Sequence, residues 1–379
     1  MKIPFILTLP IEPNTPEELA CALAEAATQN QTIRLLGRGT KDAMGGPLAP
    51  ADVEIATRGL NRLLKYEPRD LTVSVQAGMR WKHLSDLLEE NRQMIPLDPP
   101  FSGDATVGGV VATNCSGPRR RLYGAARDMV IGMTFATMEG KLVETGGMVV
   151  KNVAGLDMGK LMIGSFGTLA PVTSVNFRVY PRPAATRTFR WQFSGPEAAI
   201  AQRDAILRSV LQPMAVDLRK AEDGFALMIQ AGGGTAILDR YSRELRSADV
   251  LEEHVEHEAW REIRQFTPSW LMTHPGGAVV RISTVLSGVG VIMDQLPAPA
   301  IARAANGVCY GYFSEAAQAS EWFTAHPEAR GVIEYAPQDF REQHELWRQP
   351  GPDFSIMKKV KNMFDSGNLL NRGRLYGRI

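Results

Sequence analysis

The sequence predicts a two-domain protein of mixed α-helices and β-strands. Its 379 residues exceed what one hydrophobic core usually serves. The first half combines short strand patterns with glycine-rich segments, whereas the second half has longer helical patterns and fewer glycine clusters. Between the two halves, Pro181-Arg182-Pro183 breaks the pattern and marks the expected domain boundary.

The first helix is expected to begin at Thr15. Thr15 suits the N-cap, Pro16 suits the first helical position, and Glu18 completes a capping box. Further strands are expected at 33–36, 71–78, 129–137, 141–150, 172–179, 226–230 and 279–284, and further helices at 80–90, near 197–210 and at 240–265.

Charge and cysteine content exclude several classes of protein. Lys plus Arg (42) nearly balances Asp plus Glu (41), so there is no basic field for nucleic acid or an anionic membrane. Cys21, Cys115 and Cys309 are too scattered to form a zinc or iron–sulfur motif, and a sparse odd count suits a reducing cytoplasm. The apolar N-terminus is too short for a signal peptide, and no run reaches the ~20 apolar residues of a membrane span. We therefore expect a cytoplasmic protein.

The first candidate site is Gly37-Arg38-Gly39-Thr40-Lys41-Asp42, directly after a strand. Closely spaced glycines let backbone N–H groups approach a pyrophosphate, and Thr40 and Lys41 would add a hydroxyl donor and a cation. Asp42 stands where the dinucleotide fingerprint GxGxxG needs its third glycine, and no Walker loop occurs. A tight surface turn explains this segment equally well.

Two further segments are rich in small residues. The second runs from Gly103 to Gly109 and continues from Thr113 to Gly117, and the third is 163–169. A floppy loop explains the second and a turn explains the third, but the valines among the glycines of the second indicate a buried segment. Because three such segments fall within one domain, we favour a backbone that wraps a phosphate ligand.

The order and spacing of these motifs resemble the FAD-binding domain of the vanillyl-alcohol oxidase and p-cresol methylhydroxylase superfamily, over about residues 15–182. The motifs that carry the resemblance are Ala105-Thr106-Val107-Gly108-Gly109, Tyr123-Gly124, the segment 150–157, Gly164-Ser165-Phe166-Gly167-Thr168-Leu169 and the C-terminal Asn368-Leu369-Leu370-Asn371-Arg372-Gly373-Arg374. Each motif alone is weak, whereas their order is specific. Within the superfamily, the chain is most similar to the smaller flavin subunit of bacterial glycolate oxidase.

The resemblance implies an α+β fold and one FAD held non-covalently. It implies a two-subdomain FAD-binding domain (1–182), a smaller α+β cap domain (183–350) and a C-terminal segment (351–379) that returns to the FAD domain. The residues expected to bind FAD are Gly37, Arg38, Gly39, Thr40, Lys41, Asp42, Gly103, Asp104, Ala105, Thr106, Val107, Gly108, Gly109, Thr113, Gly117, Tyr123, Gly124, Val130, Gly164, Gly167, Thr168, Val172 and Arg374.

The resemblance also implies a function. The chain would be the FAD-binding subunit of a glycolate oxidase (dehydrogenase) complex that oxidises a small 2-hydroxy acid to a 2-oxo acid. Its partners would be a second FAD subunit and an iron–sulfur subunit that receives the electrons. The chain would lie in the cytoplasm, and these partners could hold it peripherally at the inner membrane.

Departures from the family pattern leave alternatives open. Phe166 replaces the glutamate of the family's GSEGTLG loop, Val110 replaces an asparagine, and the metal signature HxGDGNxH of related dehydrogenases does not occur. A non-catalytic relay or scaffold subunit and a stand-alone oxidase that uses dioxygen therefore remain alternatives. The sequence identifies no catalytic residue.

Other reactive side chains have simpler explanations. Cys115 is expected to pack as a small residue, because no histidine neighbour would activate it. His254 and His257 lie among glutamates and are typical of a solvated helix face, so no metal site is expected. Of Arg119-Arg120-Arg121, at least one is expected to face the ligand, without an indication of which.

Overall fold

The computed structural model describes residues 9–148, 157–347 and 351–379. Its helices are α1 (Pro16–Thr28), α2 (Trp81–Glu89), α3 (Val107–Ala112), α4 (Arg120–Tyr123), α5 (Ala126–Met129), α6 (Gly159–Met162), α7 (Pro196–Arg208), α8 (Thr235–Glu244), α9 (Glu253–Thr273), α10 (Val289–Gln295), α11 (Ala316–Ala325), α12 (Gln338–Gln343) and α13 (Phe354–Phe364). Its strands are β1 (Ile33–Leu36), β2 (Val53–Ala56), β3 (Leu63–Glu67), β4 (Thr72–Gln76), β5 (Gln93–Met94), β6 (Val130–Ala136), β7 (Leu142–Gly146), β8 (Val172–Arg178), β9 (Tyr180–Pro181), β10 (Ala185–Phe193), β11 (Ala215–Ala221), β12 (Gly224–Gly233), β13 (Asp249–Val250), β14 (Ala278–Ser283), β15 (Ala300–Arg303), β16 (Val308–Phe313) and β17 (Gly331–Tyr335). Short 3₁₀ turns lie at Thr57–Gly59, Leu286–Gly288 and Tyr376–Arg378.

The first helix begins as the sequence predicts. The Thr15 hydroxyl accepts a hydrogen bond from the Glu18 amide at 3.1 Å, and Pro16 occupies the first turn. The reciprocal bond of the capping box shifts by one residue, since Glu18 Oε2 accepts from the Asn14 amide at 2.7 Å. The buried face of α1 then packs onto the parallel pair β1–β2.

The N-terminal half contains an antiparallel sheet whose strands are ordered β3-β4-β8-β6-β7. Every residue of β4 is buried, because the sheet is covered on both sides. Helix α2 covers one side through Trp81, Leu84 and Leu88, and the ring of Trp81 meets Phe177 edge-on at 6.1 Å.

The second half contains a larger antiparallel sheet, ordered β13-β10-β12-β11-β15-β16-β14-β17 in the described residues. Successive side chains of a strand point to opposite faces, so the sheet contributes to two cores. Val280 packs in the core beneath the outer helices, whereas Val279, Ile301 and Tyr312 join the core of the N-terminal half. The inner face of this sheet therefore closes over the first half.

The C-terminal segment runs beside β1. The Ile33 amide donates to the Leu369 carbonyl at 2.8 Å, and the Asn371 amide donates to the Ile33 carbonyl at 2.9 Å. These bonds bring 368–374 against the first glycine segment. The division into 1–182, 183–350 and 351–379 remains a proposal.

The single helix expected at 240–265 is wrong. The structure has two helices, α8 and α9, and the chain between them adds the edge strand β13 to the large sheet, where the Leu251 amide donates to the Thr188 carbonyl at 3.0 Å. Sheet pairing thus interrupts a helical pattern that the local sequence supports. The segment 150–156, part of the family motif, lies outside the described residues. None of the described helices is both long and apolar enough to cross a bilayer.

Candidate functional site

Three neighbouring cavities surround the N-terminal half, and two of them lie where it meets the second half. The loop cavity, of about 100 Å³, is bounded by the first glycine segment and the C-terminal segment. The inner cavity, of about 290 Å³, lies between the N-terminal half and strands β14–β17. The outer cleft, of about 800 Å³, separates α2 from α9 and β10. Thr113 and Phe166 line both the loop and the inner cavity, and Asp98 and Arg264 line both the inner cavity and the outer cleft.

The first glycine segment presents free backbone donors to the loop cavity. The amides of Arg38, Gly39, Thr40 and Lys41 donate no hydrogen bond to any residue that the structure describes. Gly39 has a positive φ of 75°, and a Cβ at Gly37 would lie 2.5 Å from Thr106 Oγ1. Several adjacent unsatisfied N–H groups beside a cavity form an anion-binding nest, which fits a pyrophosphate.

The ammonium group of Lys41 already has contacts outside the first glycine segment. Its Nζ donates to the Pro100 carbonyl at 3.0 Å and lies 4.6 Å from the centre of the Phe101 ring. Burial lowers the pKa of Lys41 below its ordinary value. The carbonyl and the ring together attract the ammonium group, so Lys41 is held by groups outside the first glycine segment.

Arg374 holds the first segment from the C-terminal side. Its guanidinium donates to the carbonyls of Lys41 at 2.8 Å, Gly46 at 2.7 Å and Asp42 at 3.2 Å, and it lies over the Phe166 ring at 5.8 Å. Burial lowers the pKa of Arg374 to about 10. Phe166 therefore packs against an arginine at the position where the family's glutamate would make a polar contact.

The second segment is not the wrapping loop that the sequence predicts. Val107–Ala112 forms helix α3, whose N-cap Thr106 accepts from the Gly109 amide at 3.1 Å. The Gly108 amide donates to the Ala77 carbonyl at 2.7 Å, and a Cβ at Gly108 would lie 3.1 Å from that oxygen. Its glycines therefore allow close packing, and the amides of residues 107–110 are satisfied within the chain.

The structure brings many of the predicted residues together and separates others. The loop cavity is lined by Gly37, Arg38, Gly39, Thr40, Lys41, Asp42, Thr106, Gly108, Gly109, Thr113, Gly167, Val172 and Arg374. Gly117 and Gly164 line the inner cavity, and Gly103 lines the outer cleft. Asp104, Ala105, Val107, Tyr123, Gly124, Val130 and Thr168 do not line these cavities. Whether each residue contacts FAD remains a prediction.

The predicted residues outside the cavities have structural surroundings of their own. Ala105 and Val107 are fully buried in the core, and Asp104 is exposed near Arg80. Tyr123 meets Tyr180 edge-on at 5.1 Å. The Thr168 hydroxyl donates to the Ser165 carbonyl at 2.8 Å, Val130 is buried in the core, and Gly124 lies beside Asp128.

Charged side chains from the large sheet line the inner cavity. Arg281 Nε donates to Glu334 Oε1 at 2.8 Å, and Arg303 pairs with the buried carboxylate of Asp217. Burial raises the pKa of Asp217 to about 6. Its Oδ1 has no hydrogen-bond partner among the described residues. The cavity thus combines arginines with the largely buried carboxylate of Glu334.

Two tyrosines complete this wall. Burial raises the pKa of Tyr310 to about 12, so its hydroxyl stays protonated and able to donate. The Tyr335 hydroxyl is buried and finds no hydrogen-bond partner among the described residues. An unsatisfied buried donor at a cavity wall fits a polar ligand.

No motif in the sequence singles out these residues of the large sheet. Arg281, Glu334 and their neighbours lie on strands β14 to β17, which are distant in sequence and adjacent in space. A single charge inside an apolar strand, such as Arg281 in Ala278–Ser283, was the available signal.

The remaining reactive groups take the following positions. The buried Cys115 lines the inner cavity, with its Sγ 3.0 Å from Thr113 Oγ1. Arg119 forms an ion pair with Asp98, whereas Arg120 lines the inner cavity. Burial opposes ionisation of Asp98, but the Arg119 guanidinium holds its pKa at about 2. In the described ranges, no group of three or more His, Cys, Asp or Glu residues could hold a metal ion.

Comparisons with known proteins agree with this arrangement. Residues 8–146 match the family model described as an FAD binding domain. Glycolate oxidase subunit GlcE of Escherichia coli is 32% identical over 242 residues, which cover 64% of this chain and 66% of the relative. Glycolate oxidase subunit GlcD of Bacillus subtilis is 28% identical over a stretch that covers 55% of this chain and 44% of the relative. D-lactate dehydrogenase of Anaerostipes hadrus is 32% identical over 56% of this chain and 44% of the relative. The chain therefore spans between 44% and 66% of these relatives' lengths.

Solved structures show the same fold. A crystal structure of p-cresol methylhydroxylase with substrate bound superposes with a TM-score of 0.75 at 14% identity, covering 96% of this chain and 87% of that one. A structure of alkyldihydroxyacetonephosphate synthase gives a TM-score of 0.71 at 18% identity, covering 95% and 75%.

Fold, loop cavity and family match together define an α+β flavoprotein with an FAD-binding domain. Residues 8–146 thus carry an FAD-binding domain, and the chain shares the fold of p-cresol methylhydroxylase.

Proposed function

We propose that this chain is the FAD-binding subunit of a glycolate oxidase (dehydrogenase) complex and oxidises 2-hydroxy acids to 2-oxo acids. One observation carries the proposal: four free backbone donors, the amides of Arg38 to Lys41, face a cavity that adjoins an arginine-lined one. The first suits the pyrophosphate of FAD and the second suits a carboxylate substrate. The names of the relatives, two glycolate oxidase subunits and a D-lactate dehydrogenase, support the same substrate class.

The cofactor would be held without a covalent bond. The amides of Arg38 to Lys41 would bind its pyrophosphate, and Arg374 would keep that segment in place through the carbonyls it already contacts. Among the described residues, no histidine lines either the loop cavity or the inner cavity. When bound, FAD would supply the two-electron acceptor for the hydride lost from the α-carbon.

Glu334 is the group best suited to take the proton of the substrate hydroxyl. The inner cavity has two carboxylates in the described part of the chain, Asp98 and Glu334. Both oxygens of Asp98 accept hydrogen bonds from Arg119. Glu334 has one oxygen bonded to Arg281, and its Oε2 accepts no hydrogen bond from a described residue. A carboxylate with a free oxygen beside a bound alcohol is a competent general base.

The electrons would leave to another polypeptide. Cys21, Cys115 and Cys309 are unpaired and scattered, and two of them are buried, so they offer no iron–sulfur ligand set. We therefore propose an iron–sulfur subunit and a second FAD subunit as partners, with any membrane association made through them. The lack of a histidine beside the inner cavity favours a second candidate, a relay or scaffold subunit whose flavin does not meet substrate.

Anaerobic mixing of the purified yellow protein with glycolate and with D-lactate tests the proposal. We expect the flavin absorbance near 450 nm to bleach. The Glu334→Gln variant should bind FAD and bleach roughly 100- to 1,000-fold more slowly, because it loses the base. Glu262→Gln is the matched control, since Glu262 also pairs with an arginine, at 2.6 Å, but on the surface. A fully loaded flavin that neither acid reduces would contradict the catalytic role and support the relay, whereas rapid turnover with dioxygen alone would support a stand-alone oxidase.

A further inference from the structure

The side chain of Arg264 lies between the inner cavity and the outer cleft, with no hydrogen-bond or ion-pair partner among the described residues. It lines both, together with Asp98. Arg119, Arg281 and Arg303 are each paired with an acidic residue. The Arg264 side chain makes no hydrogen bond or ion pair with any residue in the described ranges. Among the described residues, it is the one arginine that lines both the inner cavity and the outer cleft, and its side chain has no acidic partner within ion-pair distance.

The backbone around Arg264 is fixed from both sides. Gln265 Nε2 donates to Ser102 Oγ at 2.8 Å, which ties α9 to the N-terminal half. The Thr267 and Tyr312 hydroxyls lie 2.9 Å apart, which ties α9 to the large sheet. Pro268 lies inside α9 and has no amide hydrogen, so it cannot complete the helical bond to the Arg264 carbonyl. The side chain thus projects from an anchored stretch of helix.

The electrostatic surroundings of Arg264 favour an anion. Burial lowers the pKa of Arg264, and the nearby Arg119, Arg182 and Arg303 lower it further, while Asp98 alone opposes them. Arg119 already neutralises Asp98. Partial burial of an unpaired guanidinium costs free energy, and a bound carboxylate would offset that cost through two parallel hydrogen bonds.

We propose that Arg264 binds the carboxylate of a small anionic substrate at this junction, and that the outer cleft is the route by which the anion reaches the inner cavity. The inference deepens the proposed function and rests on it, since the anion would be the 2-hydroxy acid. Polar and charged residues line the outer cleft, among them Arg92, Arg182 and Arg187, so the cleft stays hydrated and admits a charged molecule.

Oxalate is the probe, because it has the carboxylate and no C–H bond to oxidise. Titration of the FAD-loaded protein with oxalate should perturb the visible flavin spectrum and give a Kd. Arg264→Met should raise that Kd roughly 10- to 100-fold and raise KM far more than it lowers kcat. The matched control is Arg92→Met, which removes the same charge from the exposed rim of the same cleft and does not touch the inner cavity. It should change the Kd by less than about threefold.

Three results would overturn the inference: oxalate that does not bind the wild-type protein, equal effects of the two variants, or a lowered kcat with an unchanged KM and Kd. If Arg264→Met does not retain FAD, Arg264→Lys replaces it, and loss of the bidentate fork should raise the Kd about tenfold. An unchanged Kd for Arg264→Lys would then contradict the proposal. If no 2-hydroxy acid reduces the flavin, the proposed function fails, yet the oxalate titrations still decide the role of Arg264.

Discussion

Replacement of Lys361 by methionine should destabilise the C-terminal segment strongly. Lys361 Nζ donates to the Thr168 carbonyl at 2.7 Å, to the Leu370 carbonyl at 3.0 Å and to Asp365 Oδ2 at 2.6 Å. The side chains of Lys361 and Asp365 are 7% and 2% exposed. Lys361 therefore joins α13, the end of the chain and the third glycine segment at one buried point.

The magnitude follows from what the substitution leaves behind. Methionine fills a similar volume, but the Asp365 carboxylate stays buried without its cation. Removal of one partner of a buried ion pair costs about 3–5 kcal/mol. The amides of Leu369 and Leu370 still donate hydrogen bonds to the Asp365 carboxylate, at 3.0 and 2.8 Å. Because these bonds partly stabilise the buried charge, we expect a cost at the lower end of that range.

The chain offers a matched control. Lys82 and Asp86 form an ion pair of the same spacing on α2, at 2.8 Å, but with side chains 64% and 61% exposed. Lys82→Met should cost less than about 0.5 kcal/mol. Urea denaturation followed by circular dichroism measures both variants, and FAD titration measures the effect on the adjoining loop cavity. Equal stability of the two variants would refute the assignment of Lys361 as a buried junction.

Two further predictions concern the loop cavity and the ion pair at Asp98. Gly109→Asp should weaken FAD binding roughly 100-fold, since two charges about 5 Å apart at an effective dielectric near 20 repel by about 3 kcal/mol. Gly103→Asp is the control, because nothing lies within 4 Å of a Cβ there and Gly103 lines only the outer cleft; equal FAD loss in both variants would contradict the site. Asp98, with its pKa lowered from 3.8 to about 2, contributes stability that is present above about pH 4 and is lost as the pH falls through 2. The difference in the free energy of unfolding between the wild type and Asp98→Asn, measured by urea denaturation, should therefore shrink from pH 4 to pH 2 by about 2 kcal/mol, and a constant difference would contradict the lowered pKa.

Local patterns predicted the elements that local forces determine. Thr15 and Pro16 start α1 through contacts within one turn, so neighbouring residues suffice to find the helix. The first glycine segment was recognisable because closely spaced glycines directly after a strand are typical of a loop with free backbone amides. Helix α3 was missed because two glycines of low helix propensity hide it, although Thr106 is an N-cap residue.

The inner cavity could not be predicted in the same way. Its arginines and tyrosines come from strands whose spatial order, β15-β16-β14-β17, differs from their order in the chain. The position of Lys41 depends on Pro100, which is 59 residues away. The split between α8 and α9 depends on pairing with β10. Such long-range contacts produce no recognisable residue spacing in the sequence. The residues come together only when the sheet is assembled.

The flavin content of the purified chain tests the central claim most directly. The visible spectrum gives the ratio of flavin to protein, and acid precipitation then separates free from attached flavin. We expect one FAD per chain, all of it released into the supernatant. A colourless protein that takes up no added FAD would contradict the FAD site, and a yellow precipitate would contradict non-covalent binding.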